Sequence, residues 1–144
     1  MSWVVDTCLL IDVLEDDSVF GRPSATLLDE MMTDGLVLCP VTYTELAPAF
    51  LGDARRQHDF LDTIGVDYTV AWTWEDTQRA YKAWHRHVQL RRQGAMIKRP
   101  IADILIGAFA QRHQGLLTRN EDDFRTVFPA LCIKTPLCIK TPLI

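Results

Sequence analysis

WVVDTCLLID, residues 3–12, is the stretch that decides the fold. Its first three residues form an apolar run that predicts a short buried strand of a parallel sheet, and the run ends on the carboxylate of Asp6. Apolar residues from position 9 to 14 recur at helical spacing, which predicts a helix beginning near Thr7. Strands of open α/β sheets end at the ligand crevice, so we expect Asp6 at a functional site. The alternative, that Asp6 only caps the helix, stays open.

Length and composition are those of a globular domain. The 144 residues suffice for one domain with its own core, and 48% hydrophobic and 24% charged residues exclude a disordered chain. No apolar run approaches the ~18 residues of a membrane span, and the N-terminus lacks a signal-peptide pattern. We therefore expect a cytoplasmic protein with no membrane partner. The four cysteines lack zinc spacing and are expected to be reduced, buried hydrophobes.

Basic charge is concentrated in one segment although the net charge is −4. Seven basic residues and no acidic residue lie between positions 77 and 102: Arg79, Lys82, Arg86, Arg91, Arg92, Lys98 and Arg99. This basic strip indicates either a solvated helix face or a phosphate-binding surface, and the pattern does not choose between them.

Alternating apolar runs and amphipathic segments predict a single α/β domain, with a central parallel sheet flanked by helices on both faces. Predicted strands lie at residues 3–5, 36–39, 66–71, 115–118 and, at the sheet edge, 131–133. Predicted helices begin at residues 7 and 23 and span 53–64, 74–93 and 101–113. On the helix 74–93, spacing predicts that Ala80, Tyr81, Trp84 and Val88 face the core.

A perfect repeat closes the chain. LCIKTP at residues 131–136 recurs unchanged at residues 137–142. Six residues are too few for a solenoid unit, so the repeat is typical of a duplication or a cloning artefact. We therefore assign the domain to residues 1–136 and treat 137–144 as a duplicated C-terminal tail.

Acidic residues gather at one edge of the predicted sheet. Asp6 follows the first strand, Glu45 the second and Asp123 the strand at 115–118, while Asp103 stands in the first turn of a buried helix. Each has a local explanation: Thr42 and Glu45 fit a capping box, and the helix dipole favours Asp103. Their number at one edge nevertheless indicates a shared site.

Clustered carboxylates remain ionised when they share a cation, because like charges raise one another's pKa. Carboxylate oxygens without His or Cys select hard ions, so Mg²⁺ or Mn²⁺ is expected. Such ions activate water and hold the oxygens of a phosphodiester during displacement. The acids therefore predict metal-dependent phosphodiester hydrolysis.

Four motifs carry a family resemblance. VVDTCLLIDVL (4–14), CPVTYTELA (39–47), RPIADILIGAFA (99–110) and LLTRNEDDF (116–124) resemble the acidic motifs of PIN-domain nucleases. Their order and spacing are similar to those of the VapC-like toxins of bacterial toxin–antitoxin pairs, over nearly all of residues 4–133. The resemblance implies a metal-dependent endoribonuclease with an RNA substrate, a cognate antitoxin and a homodimer formed through the N-terminal helices.

The resemblance also implies site residues. By position, the catalytic acids would be Asp6, Glu45, Asp103 and Asp123, with Asp6, Asp103 and Asp123 as metal ligands. Asn120 stands where many members carry an acid, and since it brings no charge, Asp123 is preferred and Asp122 is the fallback. Substrate contacts would come from Thr7, Thr118, Asn120, Arg86, Arg91, Arg92, Lys98 and Arg99, the cations following the RNA backbone.

Two other functions stay open. One is a binding module that keeps the PIN fold without cleavage and acts through RNA or a protein. The other is a DNA nuclease of the flap-endonuclease type, which is disfavoured because the chain shows nothing similar to the extra helical elements of those enzymes. Trp72 and Trp74 are candidates for stacking on bases, whereas the spacing of Trp84 favours core packing.

Overall fold

The computed structural model describes residues 2–94 and 100–137, which form a five-stranded, fully parallel sheet of order β3-β2-β1-β4-β5. The strands are β1 (Trp3–Val5), β2 (Leu36–Val37), β3 (Val66–Asp67), β4 (Gly115–Leu117) and β5 (Ile133–Lys134). The helices are α1 (Thr7–Leu14), α2 (Gly21–Met31), α3 (Pro40–Glu45), α4 (Ala54–Ile64), α5 (Trp74–Arg92), α6 (Ile101–Ala110) and α7 (Glu121–Val127). Short 3-10 helices lie at Met32–Asp34 and Ala47–Phe50.

Helices cover both faces of the sheet. Alternate side chains of β1 point to opposite faces, as a pleated strand requires. Val4 packs with residues of α5, α6 and α7, whereas Trp3 and Val5 pack with residues of α1, α2 and α4. The predicted α/β fold with a central parallel sheet between two helical layers is confirmed.

The strand order places a crevice between β1 and β4. The chain leaves β1 toward β2 on one side and leaves β4 toward β5 on the other, so the topology reverses between these two strands. Ligands of such sheets bind beyond the carboxyl ends of the strands at this switch point. The backbone N–H of Asp6 donates to the carbonyl of Leu117 at 2.9 Å, which fixes the two strand ends side by side.

Helices α5 and α6 form an antiparallel hairpin. Arg112, just beyond α6, donates from its Nε to the buried carboxylate of Asp76 in the first turn of α5, at 2.9 Å. The end of α6 therefore meets the start of α5. At the opposite end of the helix pair, the C-terminal turn of α5 therefore lies on the same side as the first turn of α6, which carries Asp103.

Several expected details were wrong. Strands β2 and β3 each span two residues instead of four and six, and α2 begins at Gly21, two residues earlier than predicted. Tyr81 is 78% exposed instead of buried. Ala80 and Ala83 face the core, because small side chains let α5 lie close against α6.

The described cysteines are free, and they differ in burial: Cys39 is buried, Cys8 is half-buried and Cys132 is exposed, so the expectation of buried cysteines holds fully for Cys39. Within residues 2–94 and 100–137, no helix is long and apolar enough to cross a membrane. Of the duplicated tail, Leu137 is described and residues 138–144 lie outside the described ranges. The domain limits therefore stay a prediction.

Candidate active site

Asp6 directly follows β1 at the crevice and is 4% exposed. Its Oδ1 accepts a hydrogen bond from the backbone N–H of Thr7 at 2.8 Å, so the residue caps α1. Its Oδ2 accepts from the hydroxyl of Thr118 at 2.7 Å and from the thiol of Cys8 at 3.4 Å. The two readings of Asp6 are therefore compatible: it is the N-cap, and it also faces the carboxyl end of β4.

The pKa of Asp6 is raised. Burial is the main cause, and the nearby negative charge of Asp103 raises it further, while the hydrogen bonds from Thr118, Cys8 and Thr7 act in the opposite direction. The charge effect shows that α6 brings Asp103 into the neighbourhood of Asp6. Burial, followed by the charge of Asp6, raises the pKa of the Cys8 thiol to about 12, so Cys8 stays protonated and donates to Asp6.

Thr118 holds Asp6 in place. Its hydroxyl is fully buried, donates to Asp6 and accepts from the backbone N–H of Asn120 at 3.1 Å. The backbone N–H of Thr118 donates to the carbonyl of Lys134 in β5 at 3.1 Å. The family resemblance predicted Thr118 at the border of the site, and the structure adds that its buried hydroxyl donates a hydrogen bond to Asp6.

Glu45 reaches the site through Thr7. The Thr7 hydroxyl donates to Oε1 of Glu45 at 2.8 Å and lies 3.1 Å from the Thr42 hydroxyl. The capping-box explanation of Glu45 is wrong. Helix α3 begins at Pro40, a favoured first helical residue, so Thr42 is a buried interior residue and Glu45 is the exposed last one.

The remaining acids lie at helix starts. Asp103 is half-buried in the first turn of α6, and Asp122 and Asp123 are exposed in the first turn of α7. Asn120 is the exposed N-cap residue of α7, and its side chain makes no capping bond. Throughout the part of the chain that the structure describes, no three His, Cys, Asp or Glu side chains form a group that could hold a metal ion.

The donor chemistry around Asp6 suits a hard cation, although the carboxylates do not form a complete ligand set. Asp6, Asp103 and Glu45 present oxygen atoms, and the sulfur that contacts Asp6 among the described residues is the protonated thiol of Cys8. The three described donors to Asp6 are a backbone N–H, a hydroxyl and a thiol, none of them cationic. A buried carboxylate next to a second acid is stabilised by a cation.

Another buried acid near the site, Asp12, was not predicted. It is 2% exposed on the inner side of α1, where it forms an ion pair with Nε of Arg119 at 3.1 Å and accepts a hydrogen bond from the Ser24 hydroxyl at 3.2 Å. The Arg119 guanidinium also lies over the Phe20 ring at 4.5 Å. The signal was an acid within the apolar stripe of α1. The pair ties the turn after β4 to α1, next to Thr118.

The basic strip is only partly at the surface. Arg86 and Arg92 are exposed and Arg91 is half-buried, while Arg79 is paired with Asp76 at 3.2 Å and serves the structure. Lys98 and Arg99 lie outside the described residues. Because α5 and α6 are antiparallel, Arg91 and Arg92 end on the side of the molecule that carries Asp103.

The three tryptophans considered for base stacking have different surroundings. Trp72 packs against the core, stacks on Phe109 with ring centroids 6.2 Å apart and donates to the Thr77 hydroxyl at 2.7 Å. Trp84 also packs against this core, as its spacing predicted. Trp74 is 69% exposed, so it alone of the three presents most of its ring to solvent.

Comparisons with known proteins agree with this architecture. The sequence model of the PIN domain matches residues 3–128. The fold is similar to that of VapBC2 from Rickettsia felis, whose structure was solved bound to a DNA fragment from the promoter, with a TM-score of 0.68, 14% identity and coverage of 94% of this chain and 99% of that one. It is also similar to VapBC-1 from nontypeable Haemophilus influenzae, with a TM-score of 0.67, 20% identity and coverage of 94% and 98%. No curated protein sequence matches the chain significantly.

Proposed function

This chain belongs to the PIN-domain family, and we propose on that premise that it is a metal-dependent endoribonuclease acting as the toxin of a toxin–antitoxin pair. One observation carries the proposal: the carboxylate of Asp6 is buried at the switch point, held by Thr118 and close enough to Asp103 to feel its charge. Such a pair of acids favours cation binding, because a cation offsets both the burial and the repulsion.

Three acids are proposed to hold the ion, which would be Mg²⁺ or Mn²⁺. They are Asp6, Asp103 and Asp123, with Asp122 as the fallback for the third position. Nucleases of the PIN family generally use divalent metals, and such an ion activates water and offsets the charge that develops on the phosphate. Oxygen ligands suit these hard ions.

The other site residues are proposed to hold the Asp6 carboxylate in position and to exchange protons with the attacking water. The Thr118 hydroxyl and the Thr7 backbone N–H keep the Asp6 carboxylate in one orientation. The Thr7 hydroxyl donates to Glu45, and the exposed carboxylate of Glu45 would accept a proton from an attacking water. Thr7 therefore links the buried acid to the exposed one.

Substrate contacts are proposed for the rim of the site. Asn120 offers an amide at the start of α7, and the cations Arg86, Arg91, Arg92, Lys98 and Arg99 would bind RNA phosphates. Phosphate contacts position a strand without reading its sequence. The exposure of Arg86 and Arg92 supports this role.

The similarity to two VapBC proteins supports a protein inhibitor as partner. We propose that a cognate antitoxin blocks the acids with an Arg or Lys side chain, since a cation there relieves the same repulsion as the metal. A homodimer through the N-terminal helices and a cytoplasmic location are proposed with it and stay predictions.

One observation favours the non-cleaving module as the second candidate. In residues 2–94 and 100–137 the acids do not form a three-membered group, and the Asp6 oxygens are already engaged by protein donors. A module that only binds RNA or a protein would not need a group of acids that holds a metal ion.

Cleavage of a total-RNA pool by the purified full chain, with Mg²⁺, with Mn²⁺ and with EDTA, separates the two candidates. We expect discrete products that require the ion and fall at least ~100-fold in Asp6→Asn, since even changing the partner of a metal ligand costs ~10–100-fold. Asp59→Asn, an exposed acid of α4, is the matched control and should cleave like wild type. Products that persist in EDTA or in Asp6→Asn would refute the assignment, and no products with either ion would favour the binding module.

A further inference from the structure

Two large aromatic side chains on α5 face solvent. Trp74 is 69% exposed and Tyr81 is 78% exposed. They stand seven residues apart, two helical turns, so they project from the same side of the helix about 10 Å from each other along its axis. The core does not use these rings, and their function has to be sought at the surface.

A groove lies between the two rings. It has a volume of about 420 Å³ and is lined by Trp74, Thr77, Gln78, Tyr81 and Lys82. The two aromatic side chains give it apolar walls, while Gln78 supplies an amide that both donates and accepts hydrogen bonds and Lys82 supplies a cation. The lining matches a ligand that combines a flat ring with polar edges and a negatively charged group, because the aromatic side chains would contact the ring, Gln78 its polar edge and Lys82 the charge.

The same face of α5 carries positive charge toward the acids. The exposed cations on this side are Lys82, which lines the groove, and Arg92 at the end of α5, whereas Arg86 lines a separate groove beside Phe128. No acidic residue occurs from position 77 to 94. Glu75 is exposed beside Trp74, at the end of the helix away from Asp103. The antiparallel packing of α5 and α6 places Arg92 at the end of the helix pair where Asp103 lies.

We propose that this face of α5 binds single-stranded RNA, with one base seated between Trp74 and Tyr81 and the phosphates following Lys82 and Arg92 toward the acids. The inference rests on the proposed function and deepens it by locating on α5 a site for an unpaired base and a path for the strand that leads from it. Unpaired bases stack on exposed aromatic rings, whereas the bases of a duplex are stacked on one another. The absence of acids from 77 to 94 favours a polyanion over a protein partner.

The test measures binding by fluorescence anisotropy, with a labelled oligo(U) of about 12 nucleotides and an RNA duplex of similar length, in EDTA so that cleavage plays no part. We expect Trp74→Leu and Tyr81→Leu to weaken binding of the single strand about 5- to 100-fold, the range of aromatic stacking. Trp74→Phe and Tyr81→Phe keep a stacking ring and should stay within about threefold of wild type. Leu51→Ala, at a residue 86% exposed outside α5, is the matched control and should bind like wild type.

Each contrary result overturns the proposal. Leucine variants that bind the single strand as wild type does, with an unchanged melting temperature, remove the stacking site. If the protein binds the duplex as tightly as the single strand, and the leucine variants change neither affinity, this face of α5 binds phosphates in general and has no site for a base. A change of oligomeric state in Trp74→Leu, measured by light scattering, identifies a protein interface instead. Because binding is measured in EDTA, failure of the cleavage assay refutes the nuclease and leaves this result standing on its own.

Discussion

Replacing Thr118 by valine tests whether the buried hydroxyl holds the carboxylate of Asp6. Valine has nearly the same shape, so the change removes the hydroxyl without opening a cavity. The Oδ2 of Asp6 then loses a donor at 2.7 Å in a buried setting, and the N–H of Asn120 loses its acceptor at 3.1 Å. Cys8, at 3.4 Å, is left as the remaining described donor to Oδ2.

The expected cost follows from these two bonds. A hydrogen bond to a charged group contributes about 1.5–3 kcal/mol to stability and a neutral one about 0.5–1.5 kcal/mol. The Asn120 bond is partly exposed and counts at the low end. Thr118→Val should therefore lower the free energy of unfolding by about 2–4 kcal/mol, and the melting temperature by roughly 5–15 °C for a domain of this size.

A double-mutant cycle with Asp6→Asn isolates the pair. In the Asp6→Asn background the hydroxyl meets a neutral amide, so removing it should cost only about 1 kcal/mol, which leaves a coupling energy of roughly 1–3 kcal/mol. Denaturant unfolding in EDTA at neutral pH measures all four proteins. Thr42→Val is the matched control, because Thr42 is equally buried but contacts Thr7 and not Asp6.

A coupling energy below about 0.5 kcal/mol would refute the reasoning, since distant independent sites add within that limit. It would mean that the hydroxyl and the carboxylate do not stabilise one another. A coupling of similar size between Thr42→Val and Asp6→Asn would refute it in another way, by showing a general loosening of the crevice.

Three further variants test charge and packing. Asp6→Asn should melt at a higher temperature than wild type in EDTA near pH 7, because burial raises the pKa of Asp6 and disfavours its charged form. The wild type regains stability as the pH falls through that raised pKa, so the melting temperatures of the two proteins should converge as the pH approaches the ordinary pKa of 3.8. A difference in melting temperature that stays constant across pH would contradict this. Asp76→Asn should lower the free energy of unfolding by about 2–4 kcal/mol at neutral pH, because hydrogen bonding and charge from Arg112 outweigh burial and hold the pKa of Asp76 below its usual value. This stabilisation should vanish as the pH falls through the lowered pKa. Equal melting temperatures of mutant and wild type at pH 7 would disprove it. Gly107→Ala places a methyl group against the ring of buried Phe128 and should cost about 1–3 kcal/mol in chemical denaturation, less in a Phe128→Leu background, where an equal cost would argue against the clash.

Much of the fold could be predicted because its signals are local. The run at residues 3–5 is a strand and the residues from Thr7 form a helix, as their periodicities indicated. Asp103 does stand in the first turn of a buried helix. Strand ends were less predictable, since β2 stops after two residues although its apolar run continues through Cys39, and β3 also stops after two residues. An apolar residue beyond a strand can be buried by other contacts, as Cys39 is.

The sequence by itself determined the alternation of strands and helices, the parallel sheet between helical layers and the acids that follow the strands, because these depend on neighbours within a few residues. Tertiary structure alone decided that Thr118 donates a hydrogen bond to Asp6, that Arg119 forms an ion pair with Asp12, and that the side chain of Tyr81 is exposed. The first two unite positions more than a hundred residues apart through the placement of β4 beside β1, which hydrophobic periodicity does not specify. The third depends on the rotation of α5 about its axis, which is set by how closely its small residues allow α6 to approach.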